Sequence, residues 1–362
     1  MTEEKRRVPD ETPEERSADE SSTRPEEPPS GPDEESEARV GWLKRRLDEL
    51  KGWSRLPDVN LNEEIERLQT RLQGMRHEAR RHDAWVTVGI CRHKDRPRTR
   101  DYIEQLISGF EELRGDRLRA DDPAVVGGLG WFESRAVVVV GHQKGRDLNE
   151  QTRVNFGMAR PEGYRKAQRL FMLAERHRLP VLTFVDTPGA YPGVAAEEGG
   201  QARAIAETML SMARLTVPVV ATIIGEGGSG GALALAVADR VLMQENATYS
   251  VITPEGCAAI LWHEAKFAPE AAEALRPTAS SLLELEVIER VIAEPRGGAH
   301  HNPSAAAARV RGAVSEALVE LDDIPPLERR RLRRERFRRL GSWIEGAGPY
   351  AMSAVPLGPA SP

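Results

Sequence analysis

The sequence predicts an α/β fold with a mainly parallel sheet covered by helices, and three observations carry this prediction. Short apolar runs rich in Val and Ile alternate with longer segments whose apolar residues recur at helical spacing. The runs at residues 181–185 and 217–224 are apolar almost without interruption, as is typical of strands buried on both faces. Both runs lead into glycine-rich turns, which suit strand–helix connections at one edge of a parallel sheet.

The chain begins with an acidic stretch that lacks the apolar residues of a folded core. Residues 1–40 contain fourteen Asp and Glu against six Lys and Arg, a net charge of −8, whereas the whole 362-residue chain carries −6. Residues 1–38 cannot bury enough apolar surface to offset the loss of chain entropy, so we expect disorder there. Residues 39–80 carry two helical apolar patterns, over 42–50 and 65–75, and predict a helical N-terminal segment.

The α/β region follows over residues 81–322, and its elements alternate along the chain. Glu133-Ser134-Arg135 suits a tight hairpin between two strands, and Pro161 suits the first turn of a helix. The predicted strands are 125–132, 136–140, 181–185, 217–224, 240–244 and 248–252. The predicted helices are 101–113, 161–178, 197–215, a helix from the glycine run to about Ala238, 269–275, 281–293, 304–321 and 326–340. An Arg-rich C-terminal helical segment over 323–345 and a flexible tail over 346–362 complete the predicted organisation.

The most informative stretch is the glycine run after the strand at 217–224. Five of the seven residues Gly225–Gly231 are glycine, and an Ala/Leu run suited to a helix follows. A strand that turns through glycine into a helix leaves backbone N–H groups without partners, and the missing side chains let a ligand approach them closely. This pattern predicts a main-chain cradle for an oxyanion or a phosphate.

A second glycine site follows the preceding strand, at Asp186–Val194, where two Pro and two Gly bend the loop. Neighbouring parallel strands release their loops at the same sheet edge, where α/β proteins bind ligands. Two cradles side by side would suit a reaction that develops negative charge on two oxygens. A tight connection without a ligand is the simpler alternative.

Other interpretations of the glycine run stay open on the residues alone. No Lys-Ser/Thr follows Gly231, so the run is not a Walker loop. Gly225, Gly227 and Gly230 match G-x-G-x-x-G, but Asp239 lies too near to be the expected ribose-binding acid. Gly-rich packing without a ligand is also possible. Ser229 lies in a G-x-S-x-G match, and a serine hydrolase would recruit one of the later histidines, His263, His300 or His301.

Basic residues supply two weaker signals. Lys144 and Arg146, in the turn after the strand at 136–140, could hold a phosphate or carboxylate, although an exposed basic turn explains them equally well. His142 is more typical of a hydrogen-bonded loop residue than of a catalyst. Residues 326–340 contain eight arginines, and we interpret them as a solvated amphipathic helix that docks by its apolar face. The chain beyond residue 40 carries a net charge of only +2, which argues against nucleic-acid binding.

Composition excludes several further classes. Cys91 and Cys257 are far apart and offer neither a disulfide framework nor a metal clip, which suits a cytoplasmic protein in a reducing compartment. No Asp, Glu or His set has metal-ligand spacing, so we expect no metal site. No apolar run is long enough to span a membrane, and the acidic N-terminus is unlike a signal peptide.

From Leu43 to Leu340 the chain resembles the alpha subunit of the carboxyltransferase component of multi-subunit (bacterial or plastid-type) acetyl-CoA carboxylase. Gly199 stands where the family leads us to expect a basic residue. The blocks that carry the resemblance are Val126-Gly127-Gly128, Gly141–Arg146, Asn155–Met158, Pro161–Ala167, Asp186–Val194, Gly225–Ala234, Thr248–Ile252, Pro254–Cys257 and Pro295–His300.

The resemblance implies a crotonase-like (ClpP/crotonase) spiral of ββα units over 81–322, with a mixed, split sheet rather than a mainly parallel one. It implies transfer of a carboxyl group from carboxybiotin, on a separate carrier protein, to acetyl-CoA, which gives malonyl-CoA for fatty-acid synthesis. ATP would be used by a separate biotin carboxylase. The site would lie between this chain and a zinc-ribbon beta subunit that binds most of the CoA, in an alpha2beta2 assembly.

Under this resemblance the glycine loops become the candidate site. We hypothesise that the Gly230 and Gly231 amides form the oxyanion hole for the urea oxygen of biotin. The expected substrate-binding residues are Gly193, Val194, Tyr191, Gly227, Gly228, Lys144 and Arg146. Three alternatives remain: another crotonase-type acyl-CoA enzyme such as a hydratase, a serine hydrolase that uses Ser229, and a non-catalytic scaffold subunit.

Overall fold

The structure is a computed structural model that describes residues 84–341. The acidic segment 1–38, the helical segment 39–80 and the tail 346–362 lie outside the described residues, and those expectations stay predictions. The division of the chain into domains likewise stays a prediction.

An eight-stranded mixed sheet organises the described residues, in the order β1-β2-β3-β4-β5-β6-β8, with β7 paired to β5. The β1–β2 and β2–β3 pairings are antiparallel, and β3, β4, β5, β6 and β8 run parallel. The strands are β1 (Ile107–Glu112), β2 (Val125–Phe132), β3 (Arg135–His142), β4 (Val181–Thr187), β5 (Val219–Gly228), β6 (Arg240–Gln244), β7 (Thr248–Ser250) and β8 (Arg290–Ile292). The mixed sheet is the one that the family resemblance implies.

Helices cover both faces of this sheet. They are α1 (84–91), α2 (Thr99–Leu106), α3 (Leu148–Arg153), α4 (Pro161–His177), α5 (Val194–Glu198), α6 (Gln201–Arg214), α7 (Ser229–Leu233), α8 (Pro254–Leu261), α9 (Ala268–Leu275), α10 (Ala279–Glu284), α11 (Pro303–Asp322) and α12 (Pro326–Arg339). Single 3₁₀ turns lie at Asn155–Gly157, Ala265–Phe267 and Ala299–His301.

The central strands are buried on both faces, as their continuous apolar runs predict. In β3, Val138 and Val140 belong to the core cluster that includes α4 and α6. Val137 and Val139 belong to the opposite cluster, which includes α2 and α11. Every residue of β4 is buried, which fixes this strand at the centre of the fold.

Predicted boundaries are wrong at four places in the chain, and strand pairing or backbone conformation explains most of them. The helix over 101–113 ends at Leu106, because Ile107–Glu112 pairs with β2 through a bulge that contains Gly109 at φ +58°. Gly200, at φ +78°, divides the helix expected over 197–215 into α5 and α6. The helix over 281–293 ends at Glu284, and Arg290–Ile292 instead joins the sheet beside β6.

The fourth error lies at the glycine run. The strand extends to Gly228 rather than ending near residue 224, because Glu226–Gly228 pairs with β7. The following helix α7 ends at Leu233 and does not reach Ala238. Glycine therefore forms the last residues of a strand as well as the turn.

The Arg-rich helix α12 docks mainly through residues that the sequence does not single out. Phe337 packs against the core, as an apolar docking face predicts, but Leu327 is 67% exposed whereas Arg329 and Arg333 are buried. The Arg333 guanidinium donates to both carboxylate oxygens of Asp239, at 2.9 and 2.6 Å, and to the carbonyls of Met212, Leu215 and Val217. The expectation that α12 docks by its apolar face is therefore incomplete, because buried arginines hold it to the ends of the strands and helices beneath.

Candidate active site at two glycine loops

We call Gly225–Gly231 the first glycine loop and Asp186–Val194 the second glycine loop. The two loops follow the adjacent parallel strands β5 and β4, and Thr187 is in register with Gly227. A Cβ added at Gly228 would lie 2.0 Å from the Pro188 carbonyl oxygen, and one at Gly231 would lie 2.6 Å from the Ala190 nitrogen. Only glycine permits this approach, so the loops are in direct main-chain contact, as their spacing predicts.

The turn into α7 places main-chain N–H groups at the surface of this contact. Ser229 adopts the left-handed conformation, with φ +52°, and begins α7 directly after Gly228. Gly230 and Gly231 lie in the first turn of α7, where backbone N–H groups have no acceptor within the helix. A Cβ at Gly230 would lie 3.7 Å from its nearest atom, Ile205 Cγ2, which is an ordinary van der Waals contact, so this residue is not closely packed. The turn can therefore present donors to a negatively charged oxygen.

Three of the predicted substrate-binding residues lie in the second glycine loop. Tyr191 donates its backbone N–H to the Ala159 carbonyl and lies 5.0 Å beneath the Arg160 guanidinium. Gly193 packs on the Tyr191 ring, since a Cβ there would lie 2.4 Å from Cε1. Val194 begins α5 and is 75% exposed. These residues form a rim of the loop with accessible apolar surface.

Lys144 is brought to the loops, where carboxylates surround its ammonium group. Its Nζ lies 2.9 Å from Asp186 Oδ1 and 2.6 Å from Glu226 Oε2, and the Glu226 N–H also donates to Asp186 Oδ1. Burial alone would lower the pKa of Lys144, but Asp186 and Glu226 raise it above its ordinary value. Lys144 thus ties the two loops together as a permanent cation.

Glu226 connects Lys144 to residues that sequence analysis missed. Its Oε1 accepts from Arg92 Nε at 2.7 Å, and Arg92 Nη1 donates to Glu255 at 2.5 Å. Burial opposes ionisation of Glu226, but Lys144 and Arg92 hold its pKa below the ordinary value. Arg92 and Glu255 lie 134 and 29 positions from Glu226, so only the fold brings the three together.

Arg146, predicted with Lys144, lies apart from this network. Its side chain is 67% exposed and pairs with Asp101 at the start of α2. His142, by contrast, is completely buried, and neither ring nitrogen has a hydrogen-bond partner with good geometry among the described residues. Burial and nearby Lys144 lower the pKa of His142 to about 3, and the Gly231 carbonyl opposes this only in part.

The arrangement required of a serine hydrolase is not assembled within residues 84–341. The Ser229 hydroxyl makes no hydrogen bond to His263, His300 or His301 in this part of the chain. His300 instead stacks on His93, with ring centroids 3.8 Å apart, and lies against His301. The exposed Ser229 thus has no base to activate it here.

Cavities around the loops are small. A cavity of about 20 Å³ borders Gly227, Gly228 and Thr248, and one of about 270 Å³ borders Lys144, Asp186 and Glu226. The groove between α4 and α6 measures about 580 Å³ and contains none of the predicted site residues. The loops therefore form an open surface rather than a pocket that would enclose a substrate by itself.

Two findings concern metals and membranes. Among the described residues, no group of three or more His, Cys, Asp or Glu is arranged to hold a metal ion. No helix in that same part of the chain is long and apolar enough to cross a bilayer.

Cys91 and Cys257 are free thiols, and burial raises the pKa of Cys91 to about 11.

Comparison with known protein families gives a match over most of the chain. Residues 34–341 match the family described as acetyl co-enzyme A carboxylase carboxyltransferase-like. The chain is 54% identical over 304 residues to the acetyl-coenzyme A carboxylase carboxyl transferase subunit alpha of Thermus thermophilus, covering 84% of this chain and 96% of that protein. The subunit of the same name from Bordetella avium is 49% identical over 315 residues, covering 87% and 98%.

Solved structures agree on the fold. The transcarboxylase 12S crystal structure aligns with a TM-score of 0.51 at 21% identity, covering 61% of this chain and 41% of that one. A chain of a Pseudomonas malonate decarboxylase hetero-tetramer, solved with coenzyme A, aligns with a TM-score of 0.50 at 18% identity, covering 61% and 91%. At these identities the alignments show a shared fold, and they confirm the crotonase-like architecture.

Proposed function

Because the chain belongs to the acetyl co-enzyme A carboxylase carboxyltransferase-like family, we propose that it is the carboxyltransferase alpha subunit of an acetyl-CoA carboxylase. The 54% identity over nearly the full length of the Thermus subunit is the observation that carries this proposal. The subunit transfers a carboxyl group to acetyl-CoA and gives malonyl-CoA, the first committed step of fatty-acid synthesis. We place this activity in the cytoplasm.

The glycine loops fit the charge that such a transfer develops. The Gly230 and Gly231 amides would hold carboxybiotin, which when bound would supply the carboxyl group that replaces a proton of the acetyl methyl group and, in its urea, the base that takes up that proton. Gly230 is half-buried and Gly231 is buried, and their amides, in the first turn of α7, lack an acceptor within the helix and can donate to the urea oxygen. Preorganised main-chain donors stabilise such an oxyanion without transferring a proton, and each can be worth about 3 kcal/mol.

The second glycine loop has a separate part in this proposal. Tyr191, Gly193 and Val194 shape the apolar rim on which the ring of a substrate can lie. Gly227 and Gly228 let the loops meet, and Lys144 fixes their separation through Asp186 and Glu226. The Arg146 side chain is exposed and pairs with Asp101, so it can bind only a part of the substrate that lies outside the loops. Lys144 is thus a positioning residue rather than a direct ligand.

We infer that a beta subunit completes the site, because the loops alone do not enclose a substrate. The chain directly after β7, which pairs with Glu226–Gly228, exposes a run of large apolar residues. Val251 is 73% exposed, Ile260 66%, Leu261 60% and Trp262 41%. An exposed apolar surface of this kind supports an interface with a partner chain. The zinc ribbon, the biotin carrier, the ATP-dependent biotin carboxylase and the alpha2beta2 assembly rest on family resemblance.

The test of the oxyanion hole compares two substitutions at Gly230. Gly230→Pro removes the N–H at a helix position where no intrahelical bond is lost, whereas Gly230→Ala keeps it. The chain is co-expressed with a Cys-rich candidate beta subunit, and malonyl-CoA decarboxylation is measured with free biotin. We expect Gly230→Pro to lower kcat by about 10²–10³-fold and Gly230→Ala to lose far less.

Circular dichroism and co-purification with the beta subunit control for folding and assembly of both variants. Undiminished kcat in an assembled Gly230→Pro complex would refute the role of this amide. Absence of activity with every Cys-rich partner would count against the function itself. A Ser229→Ala variant that abolishes turnover would instead favour the serine hydrolase.

A further inference from the structure

A cavity whose lining contains more Lys and Arg than Asp and Glu adjoins the second glycine loop. It measures about 270 Å³, and Pro188 of that loop forms part of its wall. Its lining contains two carboxylates, those of Asp186 and Glu226. The Lys and Arg residues in the lining are Arg92, Lys94, Arg96, Arg98 and Lys144. The excess of positive charge indicates attraction for an anion.

Three of these cations already have carboxylate partners. Lys144 pairs with Asp186 and Glu226, and Arg92 pairs with Glu226 and Glu255. Arg96 donates to Glu294 at 2.5 Å and to the Ile224 carbonyl at 2.8 Å. Arg98 and Lys94 are the two cations of the lining that form no ion pair with any described residue.

Arg98 is buried and forms no direct ion pair in the part of the chain that the structure describes. It is 6% exposed, and within residues 84–341 no carboxylate lies within ion-pair distance of its guanidinium. Its Nη2 donates to the Lys94 carbonyl at 3.0 Å, whereas its buried Nη1 has no partner in the described chain. Burial lowers the pKa of this guanidinium below its ordinary value, and the Asp186 and Asp101 carboxylates offset this only in part. A buried charge without a partner is costly, so an anion that reached it would be bound favourably.

Lys94 can act together with Arg98. The two residues are four positions apart, and both border the cavity. Lys94 is exposed and forms no ion pair with any described residue. A guanidinium fork binds two oxygens of one group, and a neighbouring ammonium adds a point charge. This combination matches phosphate or a carboxylate.

We propose that this cavity is a binding site for a small oxyanion, a phosphate or a carboxylate, held by Arg98 and Lys94. The site is distinct from the Gly230–Gly231 donors. Its volume lies below the roughly 300–1,000 Å³ of pockets for larger ligands, so it holds a compact group. The proposal does not depend on the carboxyltransferase function, and its test measures binding rather than turnover.

The test titrates the full chain with inorganic phosphate and, separately, with acetate, at ionic strength held constant with sodium chloride. Isothermal titration calorimetry should show saturable binding of at least one anion. Arg98→Met should weaken that binding about tenfold or more, as expected on loss of a charged hydrogen bond, and Arg98→Lys should weaken it less. The relative affinity of phosphate and acetate identifies the preferred class.

Two further variants keep the proposal open to refutation if Arg98→Met does not fold. Lys94→Met alters an exposed side chain and should weaken binding several-fold. Arg153→Met removes an exposed arginine that does not border the cavity, and its binding should equal that of the wild type. Thermal unfolding in anion-free buffer shows which variants are folded.

Two results would overturn the proposal. One is the absence of saturable binding of either anion, or binding that is equal in wild type, Arg98→Met and Lys94→Met. The other is loss of anion binding when the beta subunit is present, which would mean that a partner group occupies the cavity. Binding that persists in the complex and depends on Arg98 is the expected result.

Discussion

At the scale of single residues, three of the buried cations in residues 84–341 are held by carboxylate partners. Arg96 meets Glu294, Arg333 meets Asp239, and Lys144 meets two carboxylates, all at distances between 2.5 and 2.9 Å. Such pairs matter because removal of one partner leaves the other buried and uncompensated. His142 differs from them, since it is buried beside the first glycine loop and remains neutral.

The neutrality of His142 makes folding sensitive to pH. Burial lowers its pKa to about 3 from an ordinary value of 6.5, so below pH 6.5 the unfolded chain binds the proton more readily than the folded one. The contribution of neutral His142 to the free energy of unfolding is therefore present above pH 6.5 and is lost as the pH falls towards 3. We expect the free energy of unfolding to drop by about 2 kcal/mol between pH 7 and pH 5 on account of this residue.

Urea denaturation of His142→Gln at pH 7 and pH 5 measures this contribution. The variant should show a pH-dependent loss about 2 kcal/mol smaller than that of the wild type. Exposed His177→Gln serves as the matched control and should keep the wild-type pH dependence. An identical pH dependence in His142→Gln and wild type would show that His142 is not the residue responsible.

The glycine positions that bring the loops together could be predicted from the sequence. The sequence did not show which charged residues would lie at the loops and which at the surface. Gly228 and Gly231 could be identified from the sequence because glycines at the turn from a strand into a helix indicate a close approach to the backbone. Lys144 and Arg146 are two positions apart in one motif, yet one is enclosed by carboxylates and the other lies at the surface. Their partners, Asp186 and Asp101, are more than forty positions away, and no local pattern specifies those pairings.

At the scale of elements, the close approach of β5 to the second glycine loop is the feature most sensitive to side-chain size. Gly228→Ala would place a Cβ 2.0 Å from the Pro188 carbonyl oxygen, and neither backbone can yield easily. We expect a loss of about 1–3 kcal/mol in the free energy of unfolding, measured by urea denaturation. Gly230→Ala, with 3.7 Å to its nearest atom, should be neutral or slightly stabilising in helix α7.

The contrast between these two alanines is the informative result. Equal stability of Gly228→Ala and Gly230→Ala would mean that the loops do not touch in the folded protein. A stability loss confined to Gly228→Ala would support the main-chain contact from which the candidate site is built.

Elements buried on both faces were predictable, whereas their ends were not. The runs at β3, β4 and β5 are apolar because helices cover both sides of the sheet, so composition alone specifies them. Residues 107–112 have a helical apolar pattern and yet form β1, because pairing with β2 outweighs local preference. Ends set by a positive φ, as at Gly200, depend on backbone conformation that composition does not reveal.

At the scale of the whole molecule, the chain has the fold of a carboxyltransferase but exposes its candidate site. The glycine loops lie at the carboxyl edge of β4 and β5, and the apolar residues around α8 extend from that edge. This layout favours a site completed by a second chain, and it gives a test of where that chain docks.

Leu261→Asp is expected to weaken association with the beta subunit. Leu261 is 60% exposed, so the change should alter the stability of the isolated chain by no more than about 0.5 kcal/mol. Co-purification should fall, because a carboxylate would be buried in an apolar contact. Leu327→Asp, on α12 and 67% exposed, is the control and should co-purify as the wild type does. Full co-purification of Leu261→Asp would place the interface elsewhere.

The contact between Arg333 and Asp239 has a consequence for synthesis of the chain. Asp239 follows β5 and caps it by accepting the Val219 N–H, but its counterion lies 94 positions further along the sequence. When the ribosome has synthesised the last strand of the sheet, β8, it has not yet synthesised Arg333, whose guanidinium neutralises the Asp239 carboxylate. Nascent chains released before residue 333 would lack the guanidinium that neutralises Asp239, and cellular proteases would have a physical basis for separating them from finished molecules.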